Sequence, residues 1–162
     1  MKLYKSIVIS IVIIVLTSCR AAIGLIEKPA IPTPDIGADI QKEKYFAIIA
    51  PEGWNSFKTD DVVSLDVQNI SGNLIKAAPD FGARIFILTD KGWVEVKNEM
   101  IYKNNPFSLD PLKMAGEMAM VSPELPDYSV PYDIRIFIVG DLIENGKEVR
   151  RVGSYIDLKL SP

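Results

Sequence analysis

The chain has 162 residues, 18 Lys and Arg against 21 Asp and Glu, a net charge of −3, one cysteine and no histidine. The missing imidazole excludes Ser-His-Asp and Cys-His catalysis and histidine metal sites, and a single cysteine excludes an intramolecular disulfide. The acidic balance argues against nucleic acid, whose binders carry a basic footprint, so no catalytic residue, metal or cofactor is expected.

The N-terminus reads MKLYKSIVISIVIIVLTSC. Lys2 and Lys5 make a short positive region, Ile7 to Leu16 is almost entirely aliphatic, and small residues Ser18 and Cys19 follow. That order is the order of a secretory signal peptide. The run is shorter than the roughly 20 apolar residues of a transmembrane helix. Leu16-Thr17-Ser18-Cys19 resembles the lipobox of bacterial lipoproteins. The resemblance implies that residues 1–18 are removed, that the Cys19 thiol carries a diacylglyceryl group with acyl chains such as palmitate, and that Cys19 opens the mature chain. The physics agrees with two chains: each buried CH₂ contributes about 0.8 kcal/mol, and one acyl chain holds a protein to a membrane only marginally. Loss of residues 1–18 removes two lysines and no acid, leaving a charge of −5. Arg20 rather than Asp follows the cysteine, which permits outer-membrane placement without requiring it. The expected location is extracytoplasmic, anchored by lipid to the cell membrane or outer membrane. The expected partners are membrane lipid through Cys19 and an envelope protein or glycan.

Residues 19–43 form the lipid anchor and a tether. Pro29, Pro32 and Pro34 lie close together without helical or strand periodicity, which favours an extended, semi-rigid polyproline II segment. An edge strand in which Ile31 and Ile36 pack on the domain is the alternative. Residues 44–162 are one domain, large enough to bury about two thirds of its unfolded surface.

That domain reads as strand throughout. Strands are expected at 45–50, 61–69, 83–89, 93–97, 116–121, 132–140 and 147–160. Val63, Leu65 and Val67 alternate with Ser64, Asp66 and Gln68. ARIFILT and WVEVKN flank a turn at Asp90–Gly92. Ile134, Ile136 and Ile138 share one face of the sixth strand, and Ile156, Leu158 and Leu160 share one face of the last, with Tyr155, Asp157 and Lys159 outward. Asn145-Gly146 between these two is the strongest short hairpin signal. Gly153 reads as a bulge. PLKMAGEMAM, residues 111–120, is the one helix candidate, and Pro111 and Gly116 leave room for a single turn. Seven short strands predict an all-β immunoglobulin-like β-sandwich of antiparallel strands with Greek-key connections. The pattern resembles the immunoglobulin or fibronectin type III superfold, with Tyr132 placed like a corner tyrosine but without a cysteine pair. A barrel of five or six strands is the alternative.

Several motifs bear on chemistry. Asp80-Phe81-Gly82 matches one kinase motif without any of its companions, so it reads as a bend after Pro79 eased by Gly82. Asp60-Asp61 offers oxygen ligands to calcium, but the spacing of a calcium loop is absent and a solvated turn is the plainer reading. The carboxylates are scattered, whereas a glycosidase needs two at about 5–9.5 Å in a cleft. Trp54 and Phe57 in PEGWNSF, and Trp93 after the Asp90–Gly92 turn, are the candidate ligand-binding residues: exposed, they stack on sugars or anchor a partner; buried, they are core. Residues 123–132 read as a rigid crossover between sheets. Asn69-Ile70-Ser71 spells a glycosylation sequon. Lys147, Arg150 and Arg151 are the basic cluster, read as an exposed strand edge. Together these features predict a non-catalytic interaction or structural module of the cell envelope, with a carbohydrate-binding or adhesion domain as the alternative.

Overall fold

A computed structural model of the chain describes residues 31–51, 56–103, 105–112 and 116–162. The signal segment, Cys19 and Trp54 lie outside the described residues. Eleven strands follow in chain order: β1 Asp39–Ile40, β2 Phe46–Ile49, β3 Ser56–Lys58, β4 Val63–Asn69, β5 Leu74–Ala77, β6 Arg84–Thr89, β7 Gly92–Val96, β8 Phe107–Leu109, β9 Glu117–Val121, β10 Tyr132–Glu144 and β11 Lys147–Ser161. The described residues contain no helix, so the chain is all-β there.

The β10–β11 hairpin is the spine of an eight-stranded sheet. Its turn is Asn145-Gly146, with φ of 51° and 76°; two left-handed residues match the right-handed twist of the strands they join. The free edge of β10 is long enough for two partners end to end: β6 along Ile134–Phe137 and β5 along Asp141–Ile143. β7 extends from β6, and β8 from β5. The far edge of β11 takes β1 and β3, both parallel to it. A three-stranded sheet, β2-β4-β9, faces this one.

Period-two alternation explains the packing. Val63, Leu65 and Val67 of β4 and Ala119 and Val121 of β9 point inward from the small sheet. Ile134, Ile136 and Ile138 of β10, with Leu158 and Leu160 of β11, point inward from the large one, and all belong to a single buried cluster. Each such side chain contributes about 1.5–3 kcal/mol on burial. Phe46 is fully buried and reaches across to β10, where a Cβ on Gly140 would lie 3.5 Å from its Cζ and 2.6 Å from Ile75 Cγ2. Residues 123–132 connect β9 in the small sheet to β10 in the large one, which makes them a crossover. Thr59 Oγ1 donates to the Tyr128 carbonyl at 2.6 Å and pins that connection.

Three sequence expectations change. First, a short strand, β1, lies within residues 33–43, where the sequence showed no period. Asp39 and Ile40 pair with Val152 and Gly153, Gln41 N–H donates to Gly153 O at 3.1 Å, and Tyr45 Oη donates to Asp39 at 2.6 Å. Thr33–Pro162 form one unit. Second, Gly153 is not a bulge. The ladder runs continuously through it, and the register shift sits at Leu142/Ile143. A Cβ on Gly153 would stand 2.6 Å from Ile40 Cδ1, 2.7 Å from Ile138 O and 2.8 Å from Val139 Cγ1, so the residue is small because β1 crosses it closely. Third, β1, β3, β5 and β8 are strands of two to four residues, too short to show a period in sequence.

The Asp80–Ala83 segment is a tight turn. Phe81 and Gly82 both have left-handed φ, 58° and 55°, and Ala83 N–H donates to Asp80 O at 3.0 Å. The turn drives Phe81 into the core, edge-on to Phe107 at 5.0 Å. A left-handed phenylalanine costs roughly 1–3 kcal/mol, which its burial offsets.

Candidate functional site: a cleft on the outer face of the large sheet

Residues opposite one another in an antiparallel ladder share a face. Leu88 pairs with Trp93, Phe86 with Glu95 and with Arg135. Across the hairpin, Asp133 faces Lys159, Arg135 faces Asp157 and Phe137 faces Tyr155. All of these lie on the face turned away from the small sheet, between the inward isoleucines.

Arg135 organises this face. Its guanidinium is 4.6 Å from the Trp93 ring centroid and 4.2 Å from that of Tyr155. Nε and Nη2 donate to the two Asp157 carboxylate oxygens at 2.6 and 2.9 Å, and Nη1 donates to Thr33 Oγ1 at 3.1 Å. The Arg135 side chain keeps only 11% of its surface exposed. The hydrogen bonds it donates to Asp157 raise the Arg135 pKa further above its usual high value, so the charge is permanent. Stacking on two rings adds about 0.5–2 kcal/mol for each contact. Behind it, Phe137 is fully buried and packs edge-on against Phe86 at 5.4 Å. Arg84 makes a second two-pronged pair with Glu95, at 2.7 and 2.6 Å, which holds Glu95 below the usual carboxylate range.

Beside this array is an open cleft of about 460 Å³, lined by Leu88, Trp93, Asp133, Asp157, Leu158 and Lys159. The volume falls within the range of small-molecule sites. A smaller cleft of about 220 Å³ shares Asp133 and Lys159 with it and adds Pro131 and Tyr132. The Trp93 indole nitrogen is buried without an acceptor, which costs about 1–3 kcal/mol. Asp133 offers lone pairs and Lys159 offers N–H donors. Both oxygens of Asp157 are engaged by Arg135, so the second carboxylate of this cleft is already committed.

Of the three aromatic candidates, only Trp93 belongs to this site. Phe57 lies on β3 with 2% of its surface exposed and is core; Trp54 lies outside the described residues. Arg135, Tyr155, Asp133 and Lys159 were not singled out in sequence, although their period-two placement on the two arms of one hairpin was visible. Asp61 accepts a hydrogen bond from Lys58 N–H at 2.8 Å, and among the described residues no three acidic, histidine or cysteine side chains gather as a metal site. The sequon asparagine is structural: Asn69 is 2% exposed, and its Nδ2 donates to the Asn73 and Leu109 carbonyls at 2.8 and 2.9 Å. A further depression of about 610 Å³ lies between residues 100–103, β8 and β9, with thioether and aromatic walls from Met100, Tyr102, Phe107, Met118 and Met120. There the Tyr102 hydroxyl bonds to both the N–H and the carbonyl of Met120.

Among the described residues no helix is long and apolar enough to cross a membrane. Compared with protein-family models, curated proteins and solved structures, the chain matches none.

Proposed function

We propose that the chain is a bacterial lipoprotein, held outside the cytoplasm by a lipidated Cys19, whose immunoglobulin-like sandwich is a non-catalytic interaction module of the cell envelope. The observation that carries the proposal is the lone cysteine directly behind a positive region and an aliphatic run. Two sheets of mostly antiparallel strands, with Tyr132 opening β10 and with β1 and β3 the two parallel additions, support the immunoglobulin-like reading. In this reading the segment behind Cys19 is the tether that carries the domain, and Asp39 and Ile40 already pair with β11. Support for a binding rather than catalytic role comes from Asp157, whose oxygens are both held by Arg135.

The test is fractionation and cross-linking in intact cells. The natural chain is expected in the membrane fraction, labelled by fatty acid, and the Cys19→Ala chain in neither state. Unchanged membrane retention of Cys19→Ala refutes the anchor. A protein captured in near-equal amount, and lost with the anchor, identifies an accessory subunit of an envelope complex. The second reading, a carbohydrate-binding or adhesion domain, is favoured by one observation: Trp93 walls an open cleft instead of filling the core.

A further inference from the structure

We propose that the cleft at Trp93 and the smaller cleft beside Tyr132 form one groove that binds an uncharged oligosaccharide. This deepens the second reading and rests on it.

Continuity supports an extended ligand. The two clefts share Asp133 and Lys159, and Trp93 supplies an aromatic wall to the first of them. Sugar rings present C–H faces to apolar walls and hydroxyls around their rims, and Leu88 extends the apolar lining of the first cleft.

Charge selects a neutral ligand. Asp133 stands directly across the ladder from Lys159, and Asp157 is bound to Arg135. The four charges cancel in two opposite-sign pairs, so an ionic ligand gains no net attraction and loses hydration on entry. A hydroxyl both donates and accepts, so it matches the carboxylate of Asp133 and the ammonium of Lys159 alike.

Trp93 is also placed as a rigid platform. Its buried indole N–H has no acceptor, a cost that phenylalanine at the same place avoids. Arg135 fixes the ring from one side, and a rigid aromatic surface loses little entropy on binding.

The test uses the full-length chain in detergent carrying Trp54→Phe, which leaves Trp93 as the single indole. Chitotetraose and cellotetraose are the probes, read by indole emission and calorimetry. Saturable binding of at least one is expected. Trp93→Ala is expected to weaken it by about tenfold or more, and Asp133→Asn by a few-fold. Trp93→Phe, which keeps a ring, is the second variant and is expected to bind between the two; thermal melts establish that each variant is folded. Raising salt from about 50 to about 500 mM is expected to change affinity less than about twofold, because the groove is neutral. Failure of both probes to saturate, binding untouched by Trp93→Ala, or steep salt dependence overturns the proposal. A protein cross-linked at Lys159 in cells, with neither sugar bound, sinks the oligosaccharide while leaving the interaction module standing.

Discussion

Replacing Gly153 by alanine tests whether the segment before β2 belongs to the folded domain. The added methyl would meet Ile40 Cδ1 at 2.6 Å, Ile138 O at 2.7 Å and Val139 Cγ1 at 2.8 Å. The first contact belongs to the tip of a flexible side chain and gives way easily. The second is backbone of the central strand β10, fixed on both edges, and does not. Forcing a methyl into such a site costs about 1–3 kcal/mol. Against this, alanine restricts the unfolded chain and returns about 0.4–1 kcal/mol. The net expectation is a loss of about 1–2 kcal/mol, with β1 displaced from β11. Urea unfolding of the full-length chain, followed by far-UV circular dichroism, measures the loss, and limited proteolysis reads the release of residues 33–41. Gly72→Ala is the control: nothing lies within 4 Å of the place its methyl would take, and the change should stay within about 0.5 kcal/mol. A Gly153→Ala chain as stable as the natural one, with residues 33–41 equally protected, refutes the close packing of β1 on β11.

Asn69→Ala leaves the Asn73 and Leu109 carbonyls without their donor, inside a bracket that ties β4 to β5 and β8; a loss of about 1–3 kcal/mol is expected by urea unfolding, and an unchanged midpoint contradicts the structural role. Stability should also depend on acid. The Tyr45 and Gln41 side chains lower the Asp39 pKa, Arg84 lowers that of Glu95, and the Ser129 hydroxyl and N–H lower that of Asp127. A carboxylate with a depressed folded-state pKa contributes stability that is complete above its unfolded value, near about 4, and is lost as pH falls through the folded value. The urea midpoint is therefore expected to be level from about pH 6 to 8, where no histidine titrates, and to fall toward about pH 3. An equal midpoint at about pH 3 and about pH 6 overturns the assignment.

The outer-face array ties the stability of the sheet to the shape of the cleft. Arg135 joins β10 to β11 through Asp157 and reaches Thr33 in the segment before β1, while it fixes the ring that walls the cleft. The same guanidinium therefore holds the sheet together and fixes the Trp93 wall of the cleft, so substitutions at Arg135 will change both. Trp93 and Asp133 sit at the rim and separate the two effects, which is why they carry the binding test.

What the sequence by itself determined is local. Alternating apolar residues placed β4, β10 and β11, because one face of each must leave water, and Asn145-Gly146 placed the hairpin turn, because both residues tolerate positive φ. Tertiary structure decided the rest. Counting back from that turn would set Arg135 opposite Ile156, on mismatched faces; the register shift at Leu142/Ile143 sets it opposite Asp157 instead and so creates the ion pair beneath the cleft. β1 forms because Gly153 lets Ile40 approach β11, a contact between residues more than a hundred positions apart. Phe57 was ambiguous in sequence and became core because β3 lies along the end of β11. A one-residue slip or a distant neighbour leaves no periodic trace in a chain, and the cleft depends on both.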